Sequence, residues 1–154
     1  MCHSVLSWRK ILFSVSFSTF AIVNALNGDM KKAPIYLGAL GLGWIWAYSY
    51  NYALGYLMSL FGISFPIAMF ISVLVVTFII VAVHAIVLEK TPFNISIMPM
   101  AFMPVMAFFG TMGQGLSILN IVIAQALGIY LATTISLVVS LLIHSSSKVS
   151  EVSL

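Results

Sequence analysis

The sequence predicts an all-α, polytopic membrane helix bundle of about five spans, the fourth broken by proline and glycine. Composition supplies the first two reasons. Of 154 residues, 62% are hydrophobic and 6% charged, whereas a soluble domain is roughly a quarter charged. The mean hydropathy is +1.18, and no charge lies deep in a long apolar run. The third reason is the segment Thr91 to Gly115, TPFNISIMPMAFMPVMAFFGTMGQG. It is apolar enough for a bilayer, yet carries Pro92, Pro99 and Pro104, then Gly110, Gly113 and Gly115. A proline inside a helix removes a backbone donor and clashes with the preceding turn. Backbone groups freed at membrane depth are tolerated only beside protein or water. A break at Pro99, Pro104, Gly110 and Gly113 therefore predicts a segment packed among other helices, of the kind that lines substrate or ion paths.

The length fits a single integral membrane domain, residues 1–154, with almost nothing left for a soluble one. The net charge of +3 is too small and too scattered over loops to predict a nucleic-acid partner. Cys2 is the only cysteine, so no internal disulfide or thiolate metal cluster is expected. It is read as a stray thiol, with lipidation as the alternative.

The first span follows Arg9 and Lys10 and runs from Ile11 to Leu26. A basic start, a short apolar centre, and small residues at Val23 and Ala25 give it the outline of a signal peptide. Lys31 and Lys32 follow at once and the rest of the chain is itself apolar, so the run is read as a short, uncleaved span. Ser14, Ser16, Ser18 and Asn24 within it predict packing against protein rather than lipid. Asn27-Gly28-Asp29 is a turn signal, Lys31-Lys32 marks a loop in water, and Pro34 suits the first turn of a helix.

The second span covers Ile35 to Leu60, with Ala39, Gly43 and Ala47 at every fourth position and Asn51 continuing the row. Small residues at this spacing let another helix approach closely. Trp44, Trp46, Tyr48, Tyr50, Tyr52 and Tyr56 crowd its second half, as an interfacial belt or, alternatively, as a stacked lining for a substrate. An uncharged connection, Phe61 to Pro66, leads into the third span, Ile67 to Leu88, whose one ionisable intruder is His84. A histidine within a span is a functional candidate; the alternative is an imidazole bonded to a neighbouring helix. Glu89 and Lys90 return the chain to water.

After the broken segment, Gln114-Gly115 forms another uncharged connection. The last span, Leu116 to Ile143, carries Ala124, Gly128, Ala132, Ser136 and Ser140 four apart, with Asn120 before the row and His144 after it. That row predicts a close helix crossing, with Ala39, Gly43 and Ala47 as its natural partner. Residues 145–154 are expected to form a disordered polar tail. With five spans, Lys31, Lys32, Lys90 and Lys148 share one side against Arg9 and Lys10 on the other. The positive-inside rule then places the C-terminus in the cytoplasm.

The Gly-containing turn after the first span (Phe20 to Asp29) and the Gly/Trp-rich stretch Gly38 to Trp46 form a pattern with the span ending near His84. The Pro- and Gly-marked block Met98 to Gly115 completes it. This pattern resembles the YcdZ-like proteins, a bacterial inner-membrane family. The resemblance implies a multi-pass protein of the bacterial cytoplasmic membrane and brings no substrate or catalytic residues. Members of that family carry one more span before the part that matches residues 10–30, so this chain is expected to lack that family's first span.

No enzyme constellation is present. Asp29 and Glu89 sit beside lysines in loops, and the three histidines, His3, His84 and His144, are far apart, so neither an acid–base pair nor a metal site is expected. No cofactor is predicted. Asn24, Asn51, Thr77, Thr111, Asn120 and Gln125 are uncharged hydrogen-bonding groups within or near the spans. They suit passage of a small neutral solute, or serve as helix glue. The expected function is a small-solute permease or channel-like component in the lipid bilayer, self-associating, with His84, Gln114, Asn120 and Asn51 as polar contacts. A non-transporting scaffold or assembly subunit is the alternative, with Ala39, Gly43, Ala47, Gly128, Ala132 and Ser136 serving packing alone.

Overall fold

The computed structural model describes the backbone of residues 2–111 and 117–152, and the side chains of 9–111 and 117–144. Gly113 and Gln114 lie outside the described residues. Among those described there are five helices and no strand: α1 (Cys2–Ala25), α2 (Ala33–Phe61), α3 (Phe65–Ala82), α4 (Met98–Gly110) and α5 (Ile118–Val152). By length and composition, Phe65–Val87 and Ile118–His144 are each apolar enough to cross a membrane. Arg9–Ala25 and Met30–Phe61 meet the same criterion together, as a pair bent by 114° at the loop between them. The described residues thus hold two or three candidate spans, and the shorter apolar piece Ile95–Gly110.

Local chemistry explains the helix ends. α1 closes with the Gly28 N–H bonded to the Val23 carbonyl at 2.8 Å and the Asn27 N–H to that of Asn24 at 3.0 Å. This double closure needs a left-handed residue, and Asn27 supplies it at φ 72°. Asp29 then caps a short 3-10 turn by accepting from the Lys31 N–H at 2.9 Å, and Pro34 sits in the first turn of α2 as expected. α2 stops at Gly62, whose φ of 61° turns the chain while its N–H reaches the Met58 carbonyl.

α3 does not end as an α-helix. Its last turn widens into a π-turn, Val83–Val87, closed by the Leu88 N–H on the Val83 carbonyl at 2.9 Å. After a 3-10 turn, Ile95–Ile97, α4 opens with Pro99 in its first turn. A missing N–H is harmless there, so Pro99 starts the helix and does not break it. Pro104 is the interior proline, and Gly110 is the last helical residue. Ahead of α4 the chain is non-helical between Leu88 and Asn94. At the other end of the chain, α5 continues to Val152, so helix occupies most of the stretch where a disordered polar tail was expected.

Side-chain pairings fix the helix directions. Gly38 lies against Phe93 and Gly43 against Ala101 and Pro104, while Tyr50 meets Phe109 edge-on; α2 and α4 therefore run the same way. Ser16 and Thr19 lie against Gly128, and Asn24 against Ser136, so α1 and α5 are also parallel. Tyr50 is hydrogen-bonded to Thr77 and Trp46 packs on His84, which makes α3 antiparallel to α2. Two buried clusters hold the bundle. One joins α1, α2, α4 and α5 around Val23, Tyr36, Met100 and Ile129; the other joins α2, α3, α4 and α5 around Tyr50, Ile80, Val105 and Ile121.

The small-residue rows are used, but not on each other. A Cβ on Gly43 would stand 2.7 Å from the ring carbons of Pro104, with the Ala101 carbonyl nearer still. A Cβ on Gly128 would stand 2.9 Å from that of Thr19, with the Ser16 carbonyl nearer. Ala39, Gly43 and Ala47 thus admit α4, and Ala124, Gly128, Ala132 and Ser136 admit α1. This corrects the expected pairing of the two rows. Ala39 and Ala132 share a cluster, but the closest approaches go elsewhere.

Candidate functional site

Pro104 is buried at the α2–α4 contact. A proline here removes the donor that the carbonyl four residues earlier would take, and the absent side chain of Gly43 makes room for its ring. On its other side, α4 faces α1 across a cavity of about 460 Å³. The polar part of its wall is Ser14, Ser18 and Thr111; Met103, Met106 and Gly110 supply much of the rest. Ser14 and Ser18 are four residues apart, so they share one face of α1. The Ser18 hydroxyl donates to the Ser14 carbonyl at 2.8 Å, and that of Thr111 to the Ala107 carbonyl at 2.7 Å. With their protons committed, these two oxygens remain as acceptors. The volume lies within the range of small-molecule sites, and the wall is apolar with a few hydroxyls. It can take a small uncharged molecule that donates hydrogen bonds.

His84 is elsewhere. It is fully buried on the π-turn, and its Nδ1 lies 2.6 Å from the Phe93 carbonyl. A carbonyl only accepts, so Nδ1 carries a proton and donates. The histidine thereby ties the end of α3 to the loop that leads into α4. Its Nε2 has no hydrogen-bond partner among the described residues, and neither has the buried Nε1 of Trp46, whose ring is centred 6.4 Å away at 50°. The sequence offered a bond to a neighbouring helix as the alternative to function; the partner found is a loop carbonyl.

The expected polar contacts do not converge. Asn51 is exposed on α2, and Asn120 lies with Leu12, Phe13 and Ser16 in a second cavity of about 330 Å³ between α1 and α5. Gln125, not chosen as a site residue, is fully buried on α5 with both carboxamide atoms unpartnered among the described residues. Ser14, Ser18 and Thr111 were not chosen either, although the four-residue spacing of the two serines was visible as a shared face. Lys31 and Lys32 lie beside Ser136 and Ser140. The loop carrying Lys90 reaches the start of α2 through Phe93 and Gly38. Lys31, Lys32 and the Lys90 loop thus gather at one end of the bundle, whereas Arg9 and Lys10 lie toward the opposite end of α1. In comparisons with known proteins, no family model, curated protein or solved structure matches the chain.

Proposed function

We propose that the chain is an integral membrane protein whose five helices all cross the bilayer, α4 as a broken segment, and that it gives a small neutral solute a path beside α4. The alternation of helix directions supports the crossing count: α1 and α5 run together, α2 and α4 together, and α3 opposes α2. The gathering of Lys31, Lys32 and the Lys90 loop at one end supports a cytoplasmic placement of that end, and with it the C-terminus. Membership of the YcdZ-like family, and with it the bacterial cytoplasmic membrane, belongs to the same proposal.

The observation that carries the transport reading is the α1–α4 cavity, with its hydroxyl acceptors beside the Pro104 interruption. Gly110 lines this cavity, and a Cβ there would meet nothing within 4 Å. Gly110→Leu therefore adds a side chain beside the path with no clash at its Cβ. Flux of small uncharged solutes into liposomes containing purified protein should be lost in Gly110→Leu while its unfolding midpoint stays at the wild-type value. Equal flux in the two proteins, or none in wild type across the panel, sinks the reading. In that case the scaffold reading takes its place, favoured by His84 and both small-residue rows being absorbed in contacts within the chain.

A further inference from the structure

Gln125 of α5 is fully buried, and neither its Oε1 nor its Nε2 has a hydrogen-bond partner among the described residues. Thr19, Thr133 and His84 are buried to the same degree, and each of them bonds a backbone carbonyl. A carboxamide carries two donor hydrogens and an acceptor. Leaving all of them bare in an apolar interior costs free energy that a leucine there would not.

The flanking turns of α5 locate it. Ile121, one turn earlier, belongs to the cluster of Trp44 and Ala107, with Val15 packed against it. Ile129, one turn later, belongs to the cluster of Leu40 and Met103, with Ile22 packed against it. Val15, Ile22, Met103 and Ala107 are also wall residues of the α1–α4 cavity. Gln125 therefore stands at the middle depth of that cavity. Gly128, three residues on, faces α1, so Gln125 points about 60° away from α1, at 100° per residue. That direction lies between Ile121 and Ile129, toward the inner side of the cavity wall. Trp44, in the Ile121 cluster, brings a second buried donor without a partner among the described residues, its Nε1.

We propose that Gln125 selects the solute, and that the solute is a small primary amide or a urea; this rests on the solute path proposed above. The complement of a carboxamide is another amide. The N–H of each donates to the oxygen of the other, so one flat pair of bonds satisfies donor and acceptor together. The second lone pair of the solute oxygen suits the Trp44 N–H. Its remaining N–H groups suit the oxygens of Ser18 and Thr111, whose own protons are committed to carbonyls. A hydroxyl carries its donor and acceptor on one atom and cannot close the same flat pair. No charged side chain lines the cavity, so an ion would enter it uncompensated. Selectivity follows from burial, because a solute that fails to pair with Gln125 leaves the carboxamide bare.

Solute entry into liposomes and a binding signal together test it. In wild type, protein-dependent entry of acetamide and urea should exceed that of glycerol several-fold. N,N-dimethylacetamide, which keeps the carbonyl and has no N–H, should gain no protein-dependent entry. Gln125→Leu should cut acetamide and urea entry roughly tenfold, the effect of one unmade polar pairing, and leave glycerol entry and helix content unchanged. Gly110→Leu should slow every solute alike. For binding, the Trp44 indole N–H resonance is followed in Trp8→Phe, Trp46→Phe protein. It should move on addition of acetamide, and stay in place once Gln125→Leu is added. Equal acetamide entry in wild type and Gln125→Leu overturns the proposal and leaves the path standing, as does entry of N,N-dimethylacetamide at the acetamide rate. If no solute enters wild type, the path fails and the indole signal decides. A shift that needs Gln125 upholds the amide site, and a resonance that acetamide does not move overturns it.

Discussion

Gly43→Ala is the smallest change that reaches the centre of the bundle. The new methyl would sit 2.7 Å from two ring carbons of Pro104, about 0.7 Å short of ordinary contact at 3.4 Å, and nearer still to the Ala101 carbonyl. The obstacle is a rigid ring and a backbone atom, so no side chain can swing aside; α2 and α4 must part. Overpacking of this kind costs about 1–3 kcal/mol, and a backbone obstacle puts this case in the upper half. Alanine's better helix propensity returns at most about 1 kcal/mol. The net loss is about 2 kcal/mol, a factor of roughly 30 in the folding equilibrium. Reversible unfolding in mixed micelles of rising SDS fraction, followed by the fluorescence of Trp44 and Trp46 on the same helix, reads the change directly. Gly41→Ala is the control, since its methyl meets nothing within 4 Å and should be neutral or slightly stabilising. A Gly43→Ala protein that unfolds at the wild-type SDS fraction, or after Gly41→Ala, would refute the claim that α4 packs against this glycine.

Two further substitutions probe the buried polar groups. His84→Leu strands the Phe93 carbonyl, at a cost of about 1–3 kcal/mol, and should speed tryptic cleavage after Lys90 several-fold; His84→Asn places an amide donor near the position of Nδ1 and should stay close to wild type. Equal cleavage of the two variants would show that the hydrogen bond does not hold this loop. Gln125→Leu exchanges a carboxamide unpartnered among the described residues for an apolar side chain of similar size and should raise the SDS midpoint, by about 1 kcal/mol. A fall would reveal a partner for Gln125.

What the sequence revealed depended on whether the signal was local. The apolar composition, the Asn27-Gly28 turn and Pro34 at a helix start each act within a few residues, and each was readable. The small-residue rows announced that close crossings exist, because glycine and alanine permit them, but permission names no partner. Two such rows look alike in sequence, whereas the shape of a Pro104 ring against Gly43 decides which helix enters. Pro99 shows the same limit on a smaller scale. A proline interrupts or initiates according to where the helix begins, and the start at Met98 follows a 3-10 turn set by Asn94. His84 stood out as a polar residue in an apolar run. Its partner is a backbone carbonyl that any residue at 93 would supply, so nothing in the sequence pointed to it. The α1–α4 cavity was half visible: the serines of α1 were seen to want company other than lipid, yet a void is set by side chains that fail to meet.

The parallel pairing of α1 with α5 has a consequence for biosynthesis. α1 packs closely on α5, which is made well after it. Gly128 follows Thr19 by 109 residues, which at the usual pace of translation is an interval of roughly 5–20 s. Through that interval Ser16 and Thr19 of α1 lack the helix that covers them in the folded chain. The nascent chain is therefore most open to capture by insertion factors, or by membrane proteases, before α5 arrives. A ribosome that stalls after α4 would leave four helices with the groove for the fifth unfilled.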